Sequence, residues 1–279
     1  MVARRRAEIP GARRVVIKVG SSSITGENKA QLDVVTAALA ALRGHGSDVV
    51  LVSSGAIATG FPALGLGEKP TDLPTQQAAA SIGQTMLISR YQDSLRHFGL
   101  NASQVLLTAG DFDDLTHRRN AQRAFDRLLE FGVIPIVNEN DTVATHEIRF
   151  GDNDRLAALV AVLVRADVLI LLSDVDALYT APPDRPGAVK IPTVSHNDQL
   201  DGVEFGPATS TGVGTGGATT KVASARLAAD AGVPVLMTAT SLVEQAISGE
   251  DVGTWFEPFA PHLSTRTGAI ATVGNLAHQ

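Results

Sequence analysis

Lys18 lies inside the apolar run Val15-Val16-Ile17-Lys18-Val19, where an ammonium group is costly to bury unless an anion receives it. The chain continues as Gly20-Ser21-Ser22-Ser23, and glycine followed by serines lets backbone N–H groups approach phosphate oxygens. The plainer account of the same residues is a lysine snorkelling from an edge strand beside an ordinary turn. Ser53-Ser54-Gly55-Ala56-Ile57-Ala58 repeats the logic, offering hydroxyls and helix N-terminal N–H groups to an anion, or simply a serine cap. A hydrolase nucleophile at Ser54 is disfavoured because Val52 stands where a G-x-S-x-G elbow needs glycine.

Two further polar segments carry more information. Asn138-Glu139-Asn140-Asp141-Thr142 is followed by Phe150-Gly151-Asp152-Asn153-Asp154, just before a helix that is apolar on nearly every face. One acid there is enough for a helix cap; three polar residues in a row exceed that need. Carboxylates and amides suit an ammonium group and can hold lysines or Mg²⁺ in place. Gly212-Val213-Gly214-Thr215-Gly216-Gly217 formally satisfies G-x-G-x-x-G, but no convincing strand precedes it. Thr238, not an acid, follows the next strand, so a dinucleotide fingerprint is not supported. A Walker A loop also fails, because Ala218 rather than lysine follows Gly217. What remains is a donor-rich loop, beginning at Gly212 and ending in Lys221 on the first turn of a helix. A lysine there opposes the helix dipole; a phosphate tail supplies the reason for it, and a solvated surface lysine is the competing account. Two lysines, several glycine turns and an acidic organiser make a phosphoryl-transfer site without a covalent nucleophile.

The elements that must position these groups alternate in type. Apolar runs at 15–19, 48–52, 104–107, 133–137, 168–172 and 233–237 read as strands; 29–43, 75–97, 117–131, 152–165 and 219–231 read as helices. Continuous Val/Ile/Leu runs, rather than strict alternation, imply strands covered on both faces. The expected fold is α/β, a three-layer α/β/α sandwich on a mainly parallel sheet. Residues 182–187 read as a turn-rich excursion and 207–217 as a loop. The polar segments fall just after strands, where open α/β sheets bind ligands.

The 279 residues, 44% hydrophobic and 19% charged, allow one large domain or two small ones. A net charge of −6 argues against a nucleic-acid partner. The absence of cysteine excludes disulfides and thiol chemistry, and the seven scattered histidines have no metal-ligand spacing. No apolar run is long enough to span a membrane, so the expectation is a cytoplasmic protein without a membrane partner. Residues 1–13, rich in arginine, read as a frayed basic arm.

The motifs, taken in order, resemble the glutamate 5-kinase family of the amino-acid-kinase superfamily. The match runs from about Arg14 to Pro258. It is carried by Lys18-Val19-Gly20-Ser21-Ser22-Ser23, Ser54-Gly55-Ala56-Ile57-Ala58, Val137-Asn138-Glu139-Asn140-Asp141 and Gly151-Asp152-Asn153-Asp154. Leu172-Ser173-Asp174, Leu178-Tyr179-Thr180 and Gly214-Thr215-Gly216-Gly217 with Thr220-Lys221 complete it. The resemblance implies ATP-dependent phosphorylation of the side-chain carboxylate of L-glutamate, the first step of proline biosynthesis. It implies an amino-acid-kinase domain over 14–260, with a substrate-binding lobe (14–165), a nucleotide-binding lobe (166–260) and a tail at 261–279.

By the same resemblance Lys18, Asp154 and Lys221 are catalytic, the lysines neutralising the transferring phosphoryl group and Asp154 holding them. Ser54, Asp141 and Asn153 bind glutamate. Lys18, Ser173, Asp174, Thr215, Gly216, Gly217, Ala218, Thr219, Thr220 and Lys221 contact ATP, and Mg²⁺ bridges phosphate oxygens without a dedicated protein metal site. A homo-oligomer, dimer or tetramer, is implied too. Two departures stand out: many relatives carry an added C-terminal PUA domain that this chain ends too soon to contain, and Ala177 replaces a frequent glycine. The alternatives are a related kinase for another acidic amino acid, or a non-catalytic sensor of ATP or an amino acid.

Overall fold

The computed structural model describes residues 2–144, 153–205 and 217–259. In chain order its elements are β1 (Arg14–Val19), α1 (Gln31–Gly44), β2 (Asp48–Val52), α2 (Ala56–Gly60), α3 (Leu73–Arg96) and β3 (Ala102–Leu107). There follow α4 (Gly110–Asp113), α5 (Leu115–Glu130), β4 (Ile134–Glu139), α6 (Asn153–Leu163), β5 (Val168–Ser173), β6 (Leu178–Tyr179), β7 (Lys190–Ile191) and β8 (Thr193–Val194). The last are α7 (Ala218–Asp230), β9 (Val235–Ala239), α8 (Val243–Ile247) and β10 (Thr254–Phe256).

Eight strands form one sheet in the order β3-β4-β2-β1-β5-β9-β10-β8. The pairs from β3 to β9 are parallel, and β10 runs antiparallel to β9. β1 is central, with Lys18 level with Val52 on one side and Leu171 on the other. The chain leaves β1 towards β2 and later returns to its other flank as β5. That reversal opens a crevice at the carboxyl ends of β1 and β5, the place where such sheets bind ligands.

Side chains alternate across the sheet, and the alternation sorts two cores. Val15, Ile17 and Val19 face α1, α3 and α8, whereas Val16 faces the layer of α5, α6 and α7. Helices on both faces make the three-layer sandwich that the continuous apolar runs predict. All of α6 except Asn153 and Arg155 is buried, which explains a helix apolar on every side. The 182–187 excursion is the loop of the small antiparallel pair β6–β7.

The expectation of a frayed arm at the N-terminus is wrong for residues 2–13. Residues Arg6–Gly11 form a 3-10 helix, Ala3 and Ile9 are buried, and the Ala3 N–H donates to the Asp167 carbonyl at 3.2 Å. Arg6 donates to the carbonyls of Val252 (2.9 Å), Gly253 (3.2 Å) and Pro192, tying this segment to the last strands. Those partners are distant in sequence, so local composition carries no trace of them. Ala177 is buried and does not adopt a left-handed backbone, so alanine is accommodated at this turn. The motif residues Phe150, Gly151, Asp152 and 212–216, together with the tail 261–279, lie outside the described residues.

Candidate active site

The parity of β1 puts Lys18 on the same face as Val16, the face covered by α6 and α7. Asp154 enters that layer from the first turn of α6, and Lys221 from the first turn of α7. The three meet. Lys18 Nζ lies 2.5 Å from Asp154 Oδ1, and Lys221 Nζ lies 2.8 Å from Asp154 Oδ2. Asp154 is 1% exposed and Lys18 2%, so that pair is nearly dry, whereas Lys221 is half-buried and reaches the carboxylate from the solvent side.

Burial alone pushes the Asp154 carboxyl up, but the charge of Lys18, then that of Lys221, and hydrogen bonds from both hold it well below the usual carboxylate range. Two ammonium groups therefore converge on one carboxylate at the carboxyl edge of the sheet, an arrangement that suits a polyanion. Lys221 also resolves its awkward place near a helix N-terminus: its side chain answers Asp154 rather than the helix dipole.

The glycine turns bring the neighbouring loops together. A methyl group at Gly20 would stand 3.9 Å from Lys18 Nζ, so the turn after β1 runs beside the ammonium. Gly55, after β2, has φ +93°, and a side chain there would press within 3.1 Å of Thr25 and 3.3 Å of Ser21. Further along, α2 crosses α3 with backbones in contact: a Cβ at Gly60 would fall 1.9 Å from the Ala79 carbonyl, and one at Gly83 1.8 Å from that of Ala56. This crossing fixes the Ser53–Gly55 turn against the long helix.

Among the expected acceptor-site residues, Asn153 is adjacent to Asp154. Its Nδ2 donates to the Ser53 carbonyl (2.6 Å) and to Asn138 Oδ1 (2.7 Å). Ser54 is therefore held through its own peptide neighbour, half-buried at the same edge. Asp141 lies half-buried in the turn after β4, where Asn140 N–H donates to the Leu107 carbonyl at 2.9 Å. Ser173 ends β5, but its hydroxyl is paired with the backbone of Val175, and its carbonyl accepts from Thr240 at 3.1 Å. Exposed Asp174 lines a polar cleft of about 450 Å³ with Ser22, Ser23, Thr25, Thr240 and Ser241. Gly217 caps α7, Ala218 opens it, and Thr219 and Thr220 are exposed on its first turn. Thr220 Oγ1 donates to the Gly217 carbonyl at 2.9 Å. Thr215 and Gly216 lie outside the described residues.

Sequence reasoning missed the layer beneath these groups. Gln84, buried on α3, donates to the Glu139 carbonyl (3.1 Å) and accepts from Asn138 Nδ2 (3.2 Å). Tyr91, also on α3 and fully buried, shares a 2.9 Å hydrogen bond with Ser53 Oγ. Burial raises the Tyr91 hydroxyl well above its ordinary pKa, against a smaller lowering by Ser53, so it stays a neutral phenol. A helical sequence gives no signal for such residues except a glutamine and a tyrosine on an otherwise apolar face.

Comparison with known proteins gives a consistent set of likenesses. The model of the amino acid kinase family matches residues 13–238. A glutamate 5-kinase of Leifsonia xyli subsp. xyli is 65% identical over 253 residues, covering 91% of this chain and 94% of that protein. A glutamate 5-kinase of Thermobifida fusca is 55% identical over 261 residues, covering 92% of this chain and 67% of that one. Among solved structures, carbamate kinase from Giardia lamblia bound to AMP-PNP superposes with a TM-score of 0.65 at 16% identity, over 90% of this chain and all of that one. UMP kinase from Bacillus anthracis gives 0.61 at 16% identity, over 89% and 97%. At that identity the solved structures speak for the fold alone.

Proposed function

Because the chain belongs to the amino acid kinase family, and within it to the glutamate 5-kinases, we propose that it transfers the γ-phosphoryl group of ATP to the side-chain carboxylate of L-glutamate. The observation that carries this reading is the Lys18–Asp154–Lys221 cluster, which brings two ammonium groups together on one carboxylate where a phosphoryl group has to be neutralised.

The substrate carboxylate is ionised at neutral pH, with an ordinary pKa of about 4.3, and is itself the nucleophile. One of its oxygens attacks the γ-phosphorus. The new C–O–P bond forms as the bond from that phosphorus to the β,γ-bridging oxygen breaks, and ADP leaves with its electron pair. No proton has to be removed, so no general base is needed. Lys18 and Lys221 stabilise charge on the transferring oxygens, and Asp154 keeps both ammonium groups aimed at one point. Ser54, Asp141 and Asn153 form the amino-acid side of the crevice; Ser173, Asp174, Gly217 and the first turn of α7 to Lys221 form the nucleotide side, to which the family resemblance adds Thr215 and Gly216. The reading divides the chain into an acceptor lobe over 14–165 and a nucleotide lobe over 166–260.

Among the described residues no cluster of three acids or histidines is arranged to hold a metal, and the Asp154 carboxylate is engaged by two lysines. Mg²⁺ carried on ATP's own phosphate oxygens would supply further charge neutralisation beside Lys18 and Lys221. The product is γ-glutamyl phosphate, which opens proline biosynthesis.

No helix among the described residues is long and apolar enough to cross a membrane, which supports a cytoplasmic enzyme. Ile82 and Met86 are 36% and 41% exposed on α3, which carries no charged residue from Leu73 to Ser89. An uncharged exposed stripe of this kind supports a homo-oligomer, dimer or tetramer. ADP release over a panel of acidic amino acids, with hydroxylamine trapping of the acyl phosphate, tests the function. Folded enzyme that gives no glutamate-dependent hydroxamate refutes it.

A further inference from the structure

The orientation of the amides beneath the acceptor site is fixed by backbone groups whose roles are not open to choice. The Ser53 carbonyl can only accept, so the Asn153 atom 2.6 Å from it is the nitrogen. The Glu139 N–H can only donate, so the Asn138 atom 2.9 Å from it is Oδ1, and that oxygen also receives the second Asn153 hydrogen at 2.7 Å. Asn138 Nδ2 then has to donate, and it does so to Gln84 Oε1 at 3.2 Å. Gln84 is itself oriented because its Nε2 meets a pure acceptor, the Glu139 carbonyl, at 3.1 Å. Gln104 Nε2 adds a longer 3.4 Å bond to the same Oε1.

Both amide hydrogens of Asn153 are therefore committed inward. What it has left for a ligand is Oδ1, which accepts no hydrogen bond from the described residues, at the N-terminal turn of α6 beside Asp154. Such an atom welcomes a donor and repels a carboxylate. We propose that Gln84 is a positioning residue for substrate selectivity: by locking Asn138 it holds the Asn153 carbonyl oxygen towards the α-ammonium group of the amino-acid substrate. The inference rests on the glutamate reading and adds which substrate group Asn153 recognises and what keeps it ready. Gln84 itself is buried, 6% exposed, and reaches the site only through Asn138.

The test compares L-glutamate with glutarate, which keeps both carboxylates and lacks the ammonium group. Equilibrium titration of the full chain is expected to show that Gln84→Leu weakens L-glutamate about tenfold, the scale of one lost hydrogen-bonding arrangement to a charged group. Glutarate and ATP are expected to stay within about twofold of wild type, since neither depends on the Asn153 acceptor. Gln84→Met, with an unbranched stem of similar length, gives the same comparison if Gln84→Leu does not fold. Equal weakening of glutamate and glutarate, or unchanged glutamate binding in a folded variant, overturns the proposal. Wild-type hydroxamate formation is read separately, so failure of the functional reading is distinguished from failure of the role given to Gln84.

Discussion

Replacing Asp154 by asparagine keeps the shape of the catalytic cluster and removes the carboxylate charge that both lysines meet. In the wild type the carboxylate is 1% exposed and lies 2.5 Å from Lys18 and 2.8 Å from Lys221. Asp154→Asn leaves two ammonium groups converging on a neutral amide, with water largely shut out. Removing one partner of a buried ion pair costs about 3–5 kcal/mol, because the remaining charge loses its compensation. For a chain of this size that corresponds to a fall in melting temperature of roughly 10 °C. Turnover should fall at least about 100-fold, since the charges that meet the transferring phosphoryl group lose their common anchor. ATP binding should change in the opposite sense: the phosphates take over the missing countercharge, so saturating ATP should raise the variant's melting temperature more than that of wild type. Thermal denaturation with and without ATP, beside ADP-release kinetics, reads all three. A variant with normal turnover, or one that gains no more from ATP than wild type, refutes the view that Asp154 anchors the two lysines for the transferring phosphoryl group.

The same carboxylate sets a pH dependence. Its folded pKa is depressed, so its stabilisation is complete above the unfolded value near 4 and is lost only as pH falls through the lower folded value. The melting-temperature gap between wild type and Asp154→Asn should be constant from about pH 5 to 8 and shrink below about pH 4; a gap that closes near neutrality contradicts the ion-pair assignment. Lys221→Ala should lower kcat far more than it weakens glutamate binding, and equal losses in both reject a role confined to the transition state. Gly83→Ala drives a methyl group to 1.8 Å from the Ala56 carbonyl and should cost about 3 kcal/mol in denaturant unfolding. Gly67→Ala, with nothing within 4 Å of the added carbon, is the matched control and should stay within about 0.5 kcal/mol of wild type.

The sequence is most readable where one residue breaks a strong local pattern. Lys18 interrupts an apolar strand, and the structure gives it the anion that such a burial requires. The continuous runs of β1, β2, β4 and β5 announce a parallel sheet because strands covered on both faces have no polar side to show. Helix ends fall within a residue or two of their expected positions for α1, α3 and α5. Short pieces fared differently. β8 and β10 contain two and three residues and exist only through pairing with each other and with β9, a tertiary fact with no local period. The N-terminal segment was misjudged for the same reason, since Arg6 finds its carbonyl partners about 190 and 250 residues away, on the order set by tertiary packing rather than propensity. Gln84 was invisible because its partners are other amides, each unremarkable alone.

The central position of β1 also has a kinetic consequence. Its pairing with β2 closes a short stretch of chain, but its pairing with β5, and the meeting of Lys18 with Asp154, wait until the whole first series of elements has been laid down. The contact from Asp154 to Lys221 spans a further 67 residues. Loop-closure entropy is lost before such distant contacts return any stabilisation, so they form late. During refolding, secondary structure should therefore recover ahead of catalysis, and regained turnover should mark the last closure of the chain rather than its first collapse.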